Sequence, residues 1–209
     1  MSRSFPTLPP LVPHRGAHTY SQNFFKSIFL AQGWQMHGEF PNLPKAVAIV
    51  SPHTSNLDAW YGFLALLGLN LNITIFGKHT LFKTPLKPIL KWIGVMPIVR
   101  YSSQGYTQQI ADIIMQEKQI WIGMAPEGTR KRAEKMRSGF YHIAHTAQIP
   151  IVMFAFDYQN KSIRILGTFE TTGNYKQDLE AILNCYKGHF SAKNNKWLAK
   201  PLQKLLKKN

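Results

Sequence analysis

The sequence predicts one α/β domain, a mixed and largely parallel sheet flanked by helices. Short apolar runs of strand length, at residues 46–50, 95–99, 119–125 and 150–156, alternate with longer segments of helical periodicity. The chain has 209 residues, which suits a single domain, and 44% of them are apolar, enough for a sizeable core. Several runs end in turns carrying polar and charged residues, and in open α/β sheets ligands gather beyond the strand ends. We divide the chain into an irregular, Pro-rich arm over 1–20, the domain over 21–190 and a basic tail over 191–209.

Taken in order, residues 21–31 place Phe24, Phe25, Ile28 and Phe29 on one face of a short helix. Trp34, Met36 and Phe40, at alternate positions, suggest a first strand, and the Pro-Asn-Leu-Pro of 41–44 a turn. The strand over 46–50 runs through Pro52 and His53 into a helix over 56–69, with Ser55 as its N-cap. A β-type run covers 72–76. Thr84-Pro85 marks a helix start, because proline is tolerated in the first turn, while Pro88 blurs that boundary. A strand over 95–99 precedes a helix over 104–117 with Ile110, Ile113 and Ile114 facing inward. A strand over 119–125 and a helix over 138–147 follow. Strands over 150–156 and 161–169 flank a turn at 157–160, and a helix covers 175–186.

Formal net charge is +15, from 25 basic and 10 acidic residues, which suits a polyanionic partner. The lysines are not interleaved with any recognised nucleic-acid module, so no nucleic acid is expected; an anionic membrane surface or a phosphorylated ligand is. No acidic residue lies between Ala59 and Ala111, a stretch that holds Lys78, Lys83, Lys87, Lys91 and Arg100. Lys83, Lys87 and Lys91 form either a solvated stripe or a face turned to anionic headgroups. In the tail, Lys196, Lys200, Lys204 and Lys208 alternate with Leu198, Leu202 and Leu205. That pattern fits a basic amphipathic helix on an anionic bilayer, and equally a terminal helix docked by its leucines. The longest apolar run, 59–69, is too short to span a bilayer, and no signal-peptide-like stretch opens the chain. A cytoplasmic protein, peripheral on the cytoplasmic face of the membrane, is therefore expected. The single cysteine, Cys185, excludes an intramolecular disulfide and suits a reducing compartment.

His53 and Asp58 are the first candidate chemical pair. His53 falls in the loop after a strand and Asp58 in the first turn of the next helix. Helical side chains tilt towards the N-terminus, so Asp58 points back at His53. An imidazole held by a carboxylate is a candidate general base. Ser55 to Asp58 also fits a capping box, in which Asp58 bonds back to the Ser55 amide. A second candidate is Glu127-Gly128-Thr129-Arg130, directly after a buried strand. Gly128 permits a tight turn, Thr129 offers a hydroxyl, and Arg130 a planar fork suited to phosphate oxygens. A carboxylate beside a phosphate is repulsive, so Glu127 is better suited to fixing Arg130 or the loop backbone. Arg100, Lys78 and Arg137 are cations placed to converge on the same phosphate. His142 and His145 share a helix but lack convincing further ligands, so no metal is expected.

In this order the motifs resemble those of the glycerolipid (lysophospholipid) acyltransferase family, which includes the 1-acylglycerol-3-phosphate acyltransferases. His53 and Asp58 match its first motif; Gly94, Ile98 and Arg100 the second; Glu127, Gly128, Thr129 and Arg130 the third; the apolar run at 149–152 the fourth. The chain departs from the family pattern at Met96, Pro97, Val99 and Met153, positions that bear on acceptor and acyl-chain preference. The resemblance implies transfer of a fatty acyl group from a thioester, acyl-CoA or acyl-carrier protein, to the hydroxyl of a lysophospholipid. The default acceptor is 1-acylglycerol-3-phosphate, with no cofactor beyond the acyl donor. His53 would take the hydroxyl proton, Asp58 would hold the imidazole, and Arg130, Arg100 and Lys78 would bind the acceptor phosphate. No Gly-x-Ser-x-Gly elbow is present, so a serine acyl-enzyme is not expected. The alternative is a phospholipid-binding protein of the same fold without catalysis.

Overall fold

Strand β2 (Lys45–Ser51) lies in the middle of the sheet and is apolar on both faces. Val47 and Ile49 enter one hydrophobic cluster, Ala46 and Ala48 the other, and all four are buried. A strand covered on both sides loses the polar alternation of a half-exposed one. The computed structural model describes residues 4–16, 19–78, 82–85, 87–98 and 105–207. Its seven strands pair in the order β1 (Gln35–His37), β7 (Ser162–Phe169), β6 (Ile151–Asp157), β2, β5 (Ile120–Met124), β3 (Ile73–Lys78), β4 (Val95–Ile98). The run from β6 to β4 is parallel. β7 is antiparallel to β6, and β1 runs parallel to β7. The sheet is thus mixed and largely parallel, within one α/β domain.

Helices α1 (Thr19–Ala31) and α2 (Asn56–Leu69) bury Phe29, Leu64 and Ala65 against the alanine face of β2. They cross closely: a Cβ on Gly68 would sit 3.0 Å from the backbone of Lys26. Helices α4 (Tyr106–Gln116), α5 (Gly139–Ala147), α6 (Tyr175–Tyr186) and α7 (Lys200–Leu206) cover the other face through Ile110, Ile143, Ile182 and Leu202. Helix α3 (Lys87–Trp92) leads into β4. It begins later than Thr84-Pro85 would suggest; the Thr84 carbonyl accepts from the Lys87 amide at 3.1 Å. That start leaves Pro88 in the first turn, where its missing N–H breaks no helical bond.

Residues 4–16 and the described part of the tail are tied to the domain. Residues 4–16 are irregular, yet the Ser4 carbonyl accepts from Met36 N, Leu11 N donates to Asn42 Oδ1, and Arg15 N donates to the Asn70 carbonyl, each at 2.9–3.0 Å. Val12 is fully buried. In the tail, a 3-10 turn (Asn195–Trp197) precedes α7, and Leu198 and Leu202 are buried in the α4–α7 cluster. Lys200 N donates to the Ala133 carbonyl at 2.9 Å, and its ammonium pairs with Glu134. The tail leucines are used by the protein's own core, the docked form of the two that its pattern allows.

Candidate active site

Small residues make room between α2 and the sheet. Ala48 of β2, Gly123 of β5 and Ala59, Gly62 and Ala65 of α2 face a cavity of about 280 Å³. Its remaining walls are apolar, among them Met36, Phe40, Leu69, Ile73 and Phe154. Among the described residues, His53 and Asp58 are the ionisable ones in this lining.

The pair is built where β2 gives way to α2. Ser51–Pro52 is a cis peptide, and His53 lies in the loop that follows. Ser55 caps α2, its hydroxyl accepting from Leu57 N at 3.1 Å. Asp58 is the third helical residue, and its Oδ2 accepts from Thr54 N at 2.6 Å and Ser55 N at 2.7 Å. The same oxygen lies 3.3 Å from His53 Nδ1. Capping box and histidine partner are therefore one carboxylate, not alternatives. Its other oxygen, Oδ1, accepts from the Tyr158 hydroxyl at 2.5 Å. With Nδ1 directed at Asp58, Nε2 is the ring nitrogen of His53 on the side away from the carboxylate. Its side chain is 22% exposed, where that of Asp58 is inaccessible.

Glu127 sits behind His53 and is 3% exposed. Its Oε1 accepts from the Ser51 hydroxyl and, at 3.1 Å, from His53 N. Oε2 is buried with no hydrogen-bond partner among the described residues. Burial pushes this carboxyl above the ordinary carboxylate range, against the lowering effect of the Ser51 and His53 bonds. Glu127 thus holds the backbone of the His53 loop. Of the two tasks its position suggests, this is the loop backbone; Arg130 bonds instead to Asn56.

Gly128 has φ +66°, and a Cβ there would meet Arg137 Cγ at 2.9 Å, so the Arg137 stem lies across it. Arg137 N donates to the Pro126 carbonyl at 2.7 Å, closing the loop. Thr129 Oγ1 accepts from Lys131 N at 3.2 Å. Arg130 donates to Asn56 Oδ1, which fastens it to the first turn of α2. Arg130 and Thr129 line an open cleft of about 650 Å³ beside Thr54 and Ser55, together with Lys131 and Lys193. Among the described residues no acidic side chain lines it, and it adjoins the N-terminal end of α2, where the helix dipole favours anions. Lys78 ends β3; its side chain, and the whole of Arg100, lie outside the described residues. No set of three His, Cys, Asp or Glu among the described residues could hold a metal ion.

Residues 35–157, which contain the strand-end histidine, its aspartate and the Glu-Gly-Thr-Arg loop, match the sequence profile of the family described as Acyltransferase. This chain belongs to the acyltransferase family. No curated protein sequence matches it. Among solved structures, it is similar to the 1-acyl-sn-glycerophosphate (LPA) acyltransferase PlsC from Thermotoga maritima. The TM-score is 0.56 at 15% identity, over 83% of this chain and 81% of that one. At that identity the likeness is one of fold.

Three residues of this candidate site carry no signal in the sequence. Tyr158 sits in a segment that reads as a turn, and Lys193 and Trp197 in a basic tail. Lys193 lies 5.9 Å from the centre of the Tyr158 ring, and Asn194 N donates to Thr54 Oγ1 at 3.3 Å. The Tyr158–Asp58 and Asn194–Thr54 bonds join segments 100 and 140 residues apart, which local pattern does not reveal.

Proposed function

We propose that this acyltransferase moves a fatty acyl group from a thioester, acyl-CoA or acyl-carrier protein, to the hydroxyl of a lysophospholipid, with 1-acylglycerol-3-phosphate as the first acceptor to test. The observation that carries the reading is a His–Asp pair set at the wall of an apolar cavity and beside a cationic cleft. One substrate chain and one anionic headgroup find complementary surfaces within reach of the same imidazole.

In this reading Nε2 of His53 accepts the acceptor's hydroxyl proton as that oxygen attacks the thioester carbonyl. Asp58 keeps the Nδ1–H tautomer and stabilises the imidazolium that forms. Collapse of the tetrahedral adduct breaks the C–S bond, and the imidazolium returns its proton to the leaving thiolate. The products are the diacyl lipid and free thiol. Arg130, already oriented by Asn56, would bind the acceptor phosphate, with Thr129 and the loop amides beside it. The transferred chain would lie among Ala48, Gly62 and Phe154.

The same reading places the enzyme peripherally on an anionic membrane. Tyr20 and Phe24 of α1 and Trp92 of α3 are exposed, Phe25 contacts Trp92, and Lys87 and Lys91 are exposed on α3. Exposed aromatics beside lysines suit a headgroup interface. No helix of the described residues is long and apolar enough to cross a membrane.

The test is acyl transfer from labelled acyl-CoA and from acyl-carrier protein to a panel of lysophospholipids in detergent micelles. Product with a phosphate-bearing acceptor, dependent on Arg130, supports the reading. Lipid binding without product from any pair of substrates overturns it.

A further inference from the structure

Asp58 is bonded from two directions. Its Oδ2 is held locally, by the amides of Thr54 and Ser55, next to His53 Nδ1. Its Oδ1 is held from across the molecule by Tyr158, which lies one residue beyond the family-matched segment. We propose that Tyr158 is a positioning residue of the His53–Asp58 pair, its hydroxyl fixing the carboxylate rotation that presents Oδ2 to His53 Nδ1 and moderating the charge that carboxylate offers the imidazole. This rests on the reading of His53 as the base.

The tyrosine is itself fixed. Its ring meets Trp34 edge-on at 5.0 Å and 88°, with Phe156 at 6.1 Å and Tyr61 at 6.2 Å. Trp34 is buried and stacked on Tyr61 at 4.0 Å. Tyr158 N donates to the Ser191 carbonyl at 3.2 Å, and its carbonyl accepts from Lys161 N at 3.3 Å. A phenol locked by its ring and its backbone offers its O–H in one direction. Burial and the adjacent Asp58 carboxylate push that hydroxyl far above the ordinary phenol range, so it stays protonated and donates throughout the working pH range. A donor on Oδ1 draws charge from the carboxylate and weakens its hold on the imidazolium. Among the described residues, the other ionisable groups facing the pair are Glu127 behind His53, Tyr61 beside Tyr158, and Lys193 over the Tyr158 ring.

The experiment compares Tyr158→Phe with Tyr61→Phe, a control in the same aromatic cluster. It reads kcat and KM across pH, and it follows the His53 imidazole titration by NMR in the full chain without substrate. Tyr158→Phe is expected to lower kcat about tenfold, with KM within about twofold of wild type. Without the donor, Asp58 pulls harder on the imidazolium, so the His53 midpoint and the acid limb of kcat/KM both move to higher pH. Tyr61→Phe is expected to leave both in place. An unmoved His53 midpoint, an equal shift in the control, or a Tyr158→Phe chain that no longer folds would each overturn the proposal. If the wild type transfers no acyl group, the proposed reaction fails while the NMR titration still decides the coupling.

Discussion

Asp58 and Asp178 are built alike and differ in what surrounds them. Each is buried in the first turn of a helix, α2 or α6. Each accepts from nearby backbone: Asp58 from Thr54 and Ser55, Asp178 from Thr172 N at 2.7 Å. Each takes a tyrosine hydroxyl, from Tyr158 at 2.5 Å and from Tyr141 at 2.7 Å, and burial raises both phenols. Each has a histidine nearby. His53 turns Nδ1 to Asp58 and lines the apolar cavity. His145 is exposed, stacks on Tyr141 and turns Nδ1 to Thr171 at 3.0 Å. A buried Asp–Tyr unit is thus a way to fasten a helix start to a loop. It becomes a candidate reaction centre when the histidine couples to the carboxylate and a substrate-sized space opens beside it.

The largest expected effect separates the two aspartates. Asp58→Asn leaves the cap oxygen but removes the charge that stabilises an imidazolium, and kcat should fall roughly 10³-fold. Asp178→Asn should leave kcat of the folded enzyme near wild type. Steady-state kinetics on both variants checks this, and equal losses would erase the distinction.

Next come the two surfaces beside His53. Arg130→Ala should raise KM for a phosphate-bearing acceptor by roughly 10- to 100-fold with kcat little changed, since it removes binding rather than chemistry. Ala48→Phe fills the cavity at its sheet wall. It should cost about tenfold or more in kcat/KM with long-chain donors, and less with short ones. A donor-length series on both proteins reads that difference.

The smallest effects are on stability. For Asp178 burial alone would raise the carboxyl, but the Thr172 amide, the Tyr141 hydroxyl and the Thr172 hydroxyl outweigh it, and the net shift is downward. Its contribution is therefore present above the ordinary Asp value of about 4 and lost as pH falls through the lower folded value. Asp178→Asn should cost about 1–3 kcal/mol at neutral pH and flatten that acid limb. Glu127 has the opposite sign: its raised folded pKa means stability is full below the ordinary Glu value and declines as pH rises through the folded one. Glu127→Gln should remove that decline. Thermal melts across pH test both slopes.

Much of this arrangement was legible in the sequence, for local reasons. Ser55 and Asp58 set the α2 boundary at Asn56, and apolar runs ending at Pro or Gly marked the central strands. His53 with Asp58, and Arg130 after Gly128, lie within a few residues of each other, where spacing is informative. The rest depends on distance and on volume. Tyr158 meets Asp58 across 100 residues, and nothing in the segment Asp157 to Asn160 announces it. The small residues Ala48, Gly62 and Gly123 read as ordinary core, and their common cavity exists only once α2 is laid on the sheet. The lysine periodicity of the tail is the same for a docked and a membrane-bound helix; the burial of Leu198 and Leu202 decides it.

The most direct test of the central claim is acyl transfer by His53→Ala beside His145→Ala, both verified as folded, with labelled acyl thioester and 1-acylglycerol-3-phosphate. His145→Ala is expected to form product at the wild-type rate, while His53→Ala loses roughly 10³-fold or more. Undiminished product from His53→Ala would contradict it.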